Sequence, residues 1–179
     1  MKSLFITSLM LTLLIAAPLQ AQEFPEADKS PMDIAMFRAQ DKTPLIRVIY
    51  SRPSKNDREI FGELQPYGEV WRTGANESTE ITLYEDMMIG DEKVEAGTYT
   101  LFTVPGEKEW TVILNKDTNT WGSYGYIQER DIVRVTTPVR KTDKIIESFS
   151  MAFRPSDNGA DLLMGWDNTY VKVPFTATM

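Results

Sequence analysis

Apolar and polar residues alternate with a period of two over most of the chain from Pro44 onward. Successive side chains of a strand point to opposite faces, so this alternation is typical of strands that bury one face. No stretch carries a sustained apolar stripe with the 3.6-residue period of a helix. The predicted inward-facing sets are Ile46, Val48 and Tyr50; Ile81 and Leu83; Trp110, Val112 and Leu114; Phe149, Met151 and Phe153; Leu162, Met164 and Trp166; and Val171, Val173 and Phe175.

Turn-forming residues stand between these predicted strands, as hairpins require. Alternation from Met32 to Met36, after Pro31, favours an edge strand over a helix that begins at Ser30. About nine short strands predict an all-β, single-domain antiparallel β-sandwich with little helix, and an open barrel is the alternative. Turns are predicted at Gly90-Asp91, Pro105-Gly106, Asp157 to Gly159 and Asp167-Asn168, and the two longest irregular segments are 53–67 and 116–130, each with room for one helical turn.

The first residues have the features of an export signal. Lys2 precedes an apolar run from Leu4 to Ala17, and small residues follow it up to Ala21. A membrane anchor is the alternative, although the run is short for a span of about 20 residues. The expected organisation is a signal peptide over 1–21, a flexible tether over 22–29 and the β-sandwich over 30–179, in a periplasmic or secreted protein without a transmembrane segment in its mature part.

The composition excludes several kinds of chemistry. The chain has no His and no Cys, which excludes Ser-His-Asp and Cys-His catalysis, His-ligated metals, disulfides and iron–sulfur clusters. Removal of Lys2 with the signal leaves 18 basic and 26 acidic residues, so that the mature charge is 18 − 26 = −8. An acidic protein lacks the basic footprint of nucleic-acid binders, so no nucleic-acid partner is expected.

Several kinds of polar group are concentrated in the segment Trp71 to Glu77. Arg72 offers a planar fork for a carboxylate or phosphate, while Asn76 and Glu77 can orient a hydroxyl-rich ligand. The structural alternative is that Arg72 pairs with Glu77 and that Gly74 simply permits the turn. The segment is therefore the first candidate for ligand binding.

A second candidate lies at the end of the strand that contains Tyr50. Arg52 and Arg58 follow this strand, and Arg52 together with Arg72 is expected to form a local basic pocket in an acidic protein. The alternative is a solvated loop with ordinary surface ion pairs, each of which contributes about 0–1 kcal/mol.

The third candidate is the segment Asn115 to Tyr126. Trp121 and Tyr124 are aromatics on a predicted loop, where they can stack on sugar rings or a peptide, and Asn115 begins the loop. The alternative is that Trp121 plugs the end of the sandwich. The spacing Asn115-x-Asp117-x-Asn119 is that of a calcium loop, but Thr120 and Tyr126 occupy the positions of the required glycine and glutamate. We therefore predict no metal and no cofactor.

Short blocks in a fixed order carry a resemblance to a known family. They are Arg52-Pro53, Phe61-Gly62, Pro66 to Gly68, Val70 to Glu77, Ala96 to Gly106, Trp110 to Asn115, Trp121 to Tyr124, and Asp131 with Arg134. Together they resemble the secreted bacterial proteins known as domain of unknown function 2911, from about Ser30 to Phe175. One departure is Asp57-Arg58, where Gly-Arg is usual. The resemblance implies an exported protein of Gram-negative bacteria, of the Bacteroidetes type, and carries over no catalytic residue.

The leading functional hypothesis is a non-catalytic domain that binds an anionic or hydroxyl-rich ligand, such as a small molecule, a glycan or a peptide, or an envelope partner. We expect Arg52, Arg72, Asn76, Glu77 and Trp121 to converge at one end of the sandwich, where loops from several strands meet. The enzyme alternative is a carboxylate-based hydrolase of glycan or another envelope polymer, which needs Glu77 or Asp131 opposite a second carboxylate. The third alternative is a purely structural envelope scaffold, and the oligomeric state stays open.

Overall fold

A computed structural model describes residues 23–178, so the predicted signal peptide lies outside the described residues. These residues form ten strands and one 3₁₀ turn. The strands are β1 (Met32–Arg38), β2 (Pro44–Ser51), β3 (Glu80–Leu83), β4 (Met87–Ile89), β5 (Glu92–Val94), β6 (Gly97–Val104), β7 (Glu109–Asn115), β8 (Asp131–Pro138), β9 (Arg140–Ser156) and β10 (Gly159–Ala177), and the 3₁₀ turn is Gln128–Arg130.

Two antiparallel sheets form the fold. The six-stranded sheet has the order β1-β2-β3-β6-β7-β8, and the four-stranded sheet has the order β5-β4-β10-β9. The two inner faces share one apolar core, which confirms the all-β sandwich that the alternation predicts. The predicted edge strand after Pro31 is confirmed as β1, at one edge of the six-stranded sheet. Within residues 23–178, no helical segment has the length and hydropathy needed to cross a membrane.

Strand β10 reverses direction near Asp167, whose φ is 56°. The amide of Ala177 donates to the carbonyl of Asn158 at 2.9 Å. The Lys172 ammonium lies 3.1 Å from the Asp161 carboxylate, although an extended strand between them would span about 36 Å. The two halves of β10 therefore lie side by side, which confirms the hairpin predicted at Asp167-Asn168.

An aromatic cluster joins the two sheets at the centre of the core. Trp71 lies in the connection between β2 and β3, yet it is buried and contacts four rings. Its ring stacks on Trp166 of β10 at 5.9 Å, and it meets Phe149 of β9 edge-on at 5.0 Å. Trp110 of β7 and Phe61 complete the set at 6.1 and 6.2 Å. Such aromatic pairs each contribute about 0.5–1.5 kcal/mol beyond the area that they bury.

Hydrogen bonds fix the course of the connection that carries Trp71. Its backbone exchanges two hydrogen bonds with Thr103 of β6, at 2.7 and 2.9 Å, and its indole N–H donates to the carbonyl of Gly74 at 3.0 Å. Gly74 packs so closely that an added Cβ would lie 2.9 Å from the carbonyl oxygen of Ser51. The connection is thus attached to the ends of both β2 and β6.

Strand β8 and the first half of β9 are among the strand segments that the predicted inward-facing sets do not include. Strand β8 is an edge strand of the six-stranded sheet, and of its eight residues only Val133 and Thr137 are buried. The first half of β9, from Arg140 to Glu147, contains no buried residue. Because few apolar residues are needed at such exposed positions, the alternation that identifies the other strands is weak there.

The turn that contains Asp57 has an unusual backbone. Asp57-Arg58 is the pair at which the sequence departs from the Gly-Arg that is usual in the family it resembles. Asn56 and Asp57 both have positive φ, at 48° and 58°. The amide of Arg58 donates to the carbonyl of Lys55 at 3.2 Å, so that the two residues occupy the centre of a turn with the φ signs of type I′. Asn-Gly is the preferred pair at these two positions. Asp57 therefore occupies a position at which glycine has no steric cost.

Replacing Asp57 with glycine is expected to raise the free energy of unfolding by up to about 1 kcal/mol, because glycine adopts positive φ without strain. Urea-induced unfolding measures the change. Asp143→Gly is the control, because Asp143 is exposed and lies in strand conformation in β9, where glycine costs about 0.5–1 kcal/mol. A loss of stability in Asp57→Gly equal to that of the control would contradict the interpretation.

Candidate functional site

The segment 116–130 lies over the outer face of the six-stranded sheet. Phe102 of β6 and Ile113 of β7 do not belong to the core cluster, yet both are buried. Tyr126 covers Phe102 edge-on at 5.3 Å, and the Thr100 hydroxyl donates to the carbonyl of Asp117 at 2.5 Å. The loop therefore covers the outer face of this sheet and does not close the end of the sandwich.

Asn115 anchors the beginning of this loop. Its amide nitrogen donates to Asp131 Oδ1 at 2.8 Å and to the carbonyl of Ile127 at 3.0 Å. Its amide oxygen accepts a hydrogen bond from the backbone of Asp117 at 3.0 Å. The side chain is used in holding the loop, and the residue is only 1% exposed. The structure therefore places Asn115 beneath the predicted ligand-binding surface.

Asp131 anchors the end of the loop. Its Oδ2 accepts hydrogen bonds from the Tyr126 hydroxyl and the Arg134 guanidinium, both at 2.6 Å, and Arg134 also donates to the Tyr126 oxygen at 2.7 Å. Burial raises the pKa of Tyr126, and the hydrogen bond to Asp131 raises it further, to about 12. With three side chains bonded to its two oxygens, Asp131 has the environment of a structural anchor.

Hydrogen bonds join the middle of the loop to the segment that follows Trp71. The amide of Ser78 donates to the carbonyl of Thr120 at 3.0 Å, and the amide of Gly122 donates to the backbone carbonyl of Asn76 at 3.2 Å. The Ser78 hydroxyl donates to the Gly122 carbonyl and accepts a hydrogen bond from Thr120 Oγ1 at 2.9 Å. Two of the three segments predicted to bind a ligand are thereby held in one place.

Glu77, Trp121 and Tyr124 form an exposed surface at this junction, which we call the aromatic rim. Glu77 and Trp121 are opposite each other in an antiparallel bridge, an arrangement that puts the two Cβ atoms about 5 Å apart. Trp121 is 62% exposed and Tyr124 is 88% exposed. An added Cβ on Gly122 would lie 2.8 Å from the Tyr124 ring, so this ring rests against the Gly122 backbone. Trp121 does not plug the sandwich.

A cavity of about 240 Å³ adjoins the aromatic rim. It lies between the outer face of the six-stranded sheet and the loop, with Glu77 in its wall. A second carboxylate in the wall, Glu80, accepts a hydrogen bond from the amide of Asn119 at 2.7 Å. Polar and apolar groups both contribute to the lining, which includes Met32, Ile49, Ser78 and Thr120.

Arg52 and Arg58 are directed away from the aromatic rim. Arg52 donates to Asp33 at 2.9 Å, to the Ser150 hydroxyl at 2.8 Å and to the carbonyl of Phe149 at 3.2 Å, so that it ties β9 to β1. Arg58 donates to the carbonyl oxygens of its own turn, at Ser54 and at Lys55. Because these partners occupy both guanidinium groups, the structure does not form the basic pocket expected from the sequence.

Arg72 and Asn76 have different surroundings from those expected. No ion pair between Arg72 and Glu77 occurs in the part of the chain that the structure describes. The Nε atom of Arg72 is buried and makes no hydrogen bond to any described residue. The Asn76 amide donates to Asp28 at 3.0 Å. Of the predicted site residues, the structure thus unites Asn76, Glu77, Trp121 and Tyr124.

The cavity beside the rim contains residues that were not among the predicted ligand-binding residues. Glu80, Asn119 and Thr120 line it, and the only available signal was the polar spacing that starts at Asn115. Over residues 23–178, no cluster of three or more Asp or Glu side chains is positioned to hold a metal ion.

The stability contribution of Tyr126 is expected to disappear at high pH. The raised pKa means that, from about pH 10 to about pH 12, the folded state retains a phenolic proton that the unfolded state has lost. The free energy of unfolding therefore falls with pH in this range, and it should fall less steeply in Tyr126→Phe than in the wild type. Urea unfolding between about pH 9 and pH 11 measures both slopes. Tyr124→Phe, at an exposed ring, should match the wild type; equal slopes for all three proteins would contradict the assignment.

The comparison with protein families agrees with the resemblance noted in the sequence. The model of the family described as "Protein of unknown function (DUF2911)" matches residues 30–175. No curated protein and no solved structure matches the chain. The match covers both sheets, the loop 116–130 and the aromatic rim. The chain therefore belongs to the DUF2911 family.

Proposed function

We propose that this protein is a non-catalytic domain that binds a hydroxyl-rich ligand of the glycan class at the aromatic rim. The observation that carries the proposal is the pair of exposed rings, Trp121 and Tyr124, beside the carboxylate of Glu77. Aromatic rings offer flat apolar faces to the C–H faces of sugars, and carboxylates accept hydrogen bonds from hydroxyl groups. The adjoining cavity adds Glu80 and Thr120 as further polar partners.

The charge of the rim favours a neutral ligand over an anion. Glu77 and Glu80 both line the cavity, while Arg52 and Arg58 donate to other parts of the fold. An anionic ligand would meet like charge at short distance, which disfavours binding. Of the two ligand classes expected from the sequence, the hydroxyl-rich class therefore suits this surface better.

The hydrogen bonds that hold the loop 116–130 in place support a role in binding, because they order the surface of the aromatic rim. Hydrogen bonds from Ser78 and Gly122 join the two segments of the rim, and Asn115 holds the base of the loop. A surface that is ordered before the ligand arrives loses less conformational entropy on binding. This arrangement is typical of a binding site carried on loops that a rigid scaffold positions.

Export of the protein is part of the proposal. The positive residue Lys2, the apolar run from Leu4 to Ala17 and the small residues that follow support it. A periplasmic or secreted location would place the aromatic rim among envelope or extracellular glycans.

Replacing Trp121 with alanine is expected to weaken glycan binding at least tenfold, a loss of about 1.4 kcal/mol, because the larger of the two rings is removed. The probes are neutral oligosaccharides of glucose, N-acetylglucosamine, mannose and xylose. A thermal-shift screen of the wild type selects the ligand. A ligand at a concentration of 100 times its dissociation constant adds about 2.7 kcal/mol to the free energy of unfolding. Calorimetry then compares the two proteins.

Tyr84→Ala is the matched control, because Tyr84 is also an exposed aromatic but follows the opposite end of β3. This variant should bind as the wild type does. If no oligosaccharide shifts the melting temperature of the wild type, or if both variants lose the same affinity, the binding proposal fails and the structural scaffold is favoured.

A carboxylate-based glycan hydrolase is the second candidate, because Glu77 and Glu80 line one cavity and glycoside hydrolysis uses two carboxylates. Asp131, which the sequence also suggested for this role, is bonded to three side chains away from the cavity. The same oligosaccharides distinguish the two functions. Binding without release of reducing ends is the expected result, whereas release that Glu77→Gln abolishes would favour the hydrolase.

A further inference from the structure

The outer face of the four-stranded sheet carries a cavity with an unusual lining. Its volume is about 280 Å³, and three of its five lining residues, Arg140, Arg154 and Lys172, are cationic. The other two are Leu163 and Tyr170. The whole chain has a formal net charge of −7. Three positive side chains around one cavity therefore form a local charge opposite in sign to that of the whole protein.

Strand register explains why these residues meet. Arg140 of β9 lies opposite Tyr170 of β10, and Arg154 of β9 lies opposite Asp161. The reversal of β10 near Asp167 brings Lys172 back beside Asp161. The alternate residues, Leu162, Val171 and Val173, point into the core, so the cationic side chains lie on the outer face of a hydrogen-bonded sheet. The cavity is therefore built on a rigid surface.

Asp161 orients two of the three cations. It is only 8% exposed, and its Oδ2 accepts hydrogen bonds from Arg154 and Lys172, each at 3.1 Å. Burial alone would raise the pKa of Asp161, but the hydrogen bonds from Lys172 and Arg154 outweigh it and lower the pKa. Asp161 therefore stays ionised at neutral pH, and the group of four side chains retains a net charge of 3 − 1 = +2.

The remaining polar groups of the cavity are free to meet a ligand. Within residues 23–178, neither the Arg140 guanidinium nor the Tyr170 hydroxyl makes a hydrogen bond or an ion pair to another side chain or to the backbone. Both lie in the wall of the same cavity. An arginine fork and a hydroxyl are groups that bind the oxygens of an anion.

We propose that this cavity binds the phosphate group of a small organic phosphate. A phosphate monoester carries nearly two negative charges above its second pKa of about 6, which matches the net charge of +2. Arg140 and Arg154 offer planar forks to its oxygens, and Lys172 offers a point charge. The volume exceeds that of a single ion, and Leu163 and Tyr170 supply an apolar wall for the organic part.

This site is independent of the aromatic rim. The rim lies on the outer face of the six-stranded sheet, whereas β9 and β10 belong to the four-stranded sheet. The two surfaces also have opposite charge, because Glu77 and Glu80 line the cavity at the rim.

Calorimetric titration of the protein with inorganic phosphate, phenyl phosphate and benzoate tests the proposal, in Tris buffer of low ionic strength at about pH 8. We expect saturable one-to-one binding of phenyl phosphate, weaker binding of inorganic phosphate, and the weakest binding for benzoate, a monoanion. Tighter binding of inorganic phosphate than of phenyl phosphate would assign the site to free phosphate and overturn the organic-ligand proposal. No saturable binding of either phosphate up to about 10 mM would overturn the site itself.

Variants locate the binding. Arg140→Gln removes a side chain that has no partner among the described residues, so the fold should be unaffected, and phenyl phosphate binding should weaken at least tenfold. The double variant Arg140→Gln with Lys172→Gln should abolish it. The matched control is Lys108→Gln with Lys116→Gln, which removes the same charge from exposed positions around the other sheet. An equal loss in this control would show that net charge alone is responsible and would contradict the proposal.

Trp121→Ala separates this proposal from the proposed function. It should bind phenyl phosphate as the wild type does, even if the glycan screen finds no ligand. Loss of phosphate binding in this variant would place the anion at the rim and contradict the assignment to β9 and β10.

Discussion

The burial of Trp71 in the aromatic cluster is the constraint on which the rest of the structure depends. This residue belongs to the long connection between β2 and β3, yet its ring packs on Trp166 and Phe149 of one sheet and on Trp110 of the other. An irregular segment with a buried aromatic cannot move without opening the core. The segment from Asn76 to Ser78 follows shortly after Trp71 and takes its position from it.

The position of the aromatic rim depends in turn on the connection that carries Trp71. Ser78 is fixed through the connection, and its hydrogen bonds to Thr120 and Gly122 hold the loop 116–130 on the outer face of the six-stranded sheet. Asn115 and Asp131 hold the base of the same loop. Because these contacts order the loop, Trp121 and Tyr124 can remain exposed without the loop itself being flexible. The core thus determines the geometry of a surface that lies outside it.

The cavities on the two outer faces of the sandwich are lined by groups of opposite charge. Carboxylates line the cavity at the rim, while Arg140, Arg154 and Lys172 line the cavity on the four-stranded sheet. The basic pocket expected from the arginines that follow β2 does not form, and the cationic cavity is built from other residues. We therefore propose chemically different ligands for the two faces, one neutral and one anionic.

Local pattern was sufficient to predict the sheets and part of the rim. Alternation identified most strands, because one face of each strand enters the core, and the polar segment from Arg72 to Glu77 with the aromatics after Asn115 pointed to the rim. The partners of Arg52 were not predictable, since Ser150 and Phe149 are nearly 100 residues away and meet it only through the packing of β1 against β9. The cationic cavity depends in the same way on the register of β9 with a strand that reverses direction.

Native-state hydrogen exchange of the amides of Trp71 and Ser78 tests the central claim most directly. Trp71 donates to Thr103 and Ser78 donates to Thr120, so one bond reports on the connection and the other on its junction with the rim. If the aromatic cluster fixes both, each amide exchanges only through global unfolding, with a protection free energy equal to the free energy of unfolding measured by denaturant. Exchange of Ser78 through local opening, several kcal/mol below that value, would contradict the account.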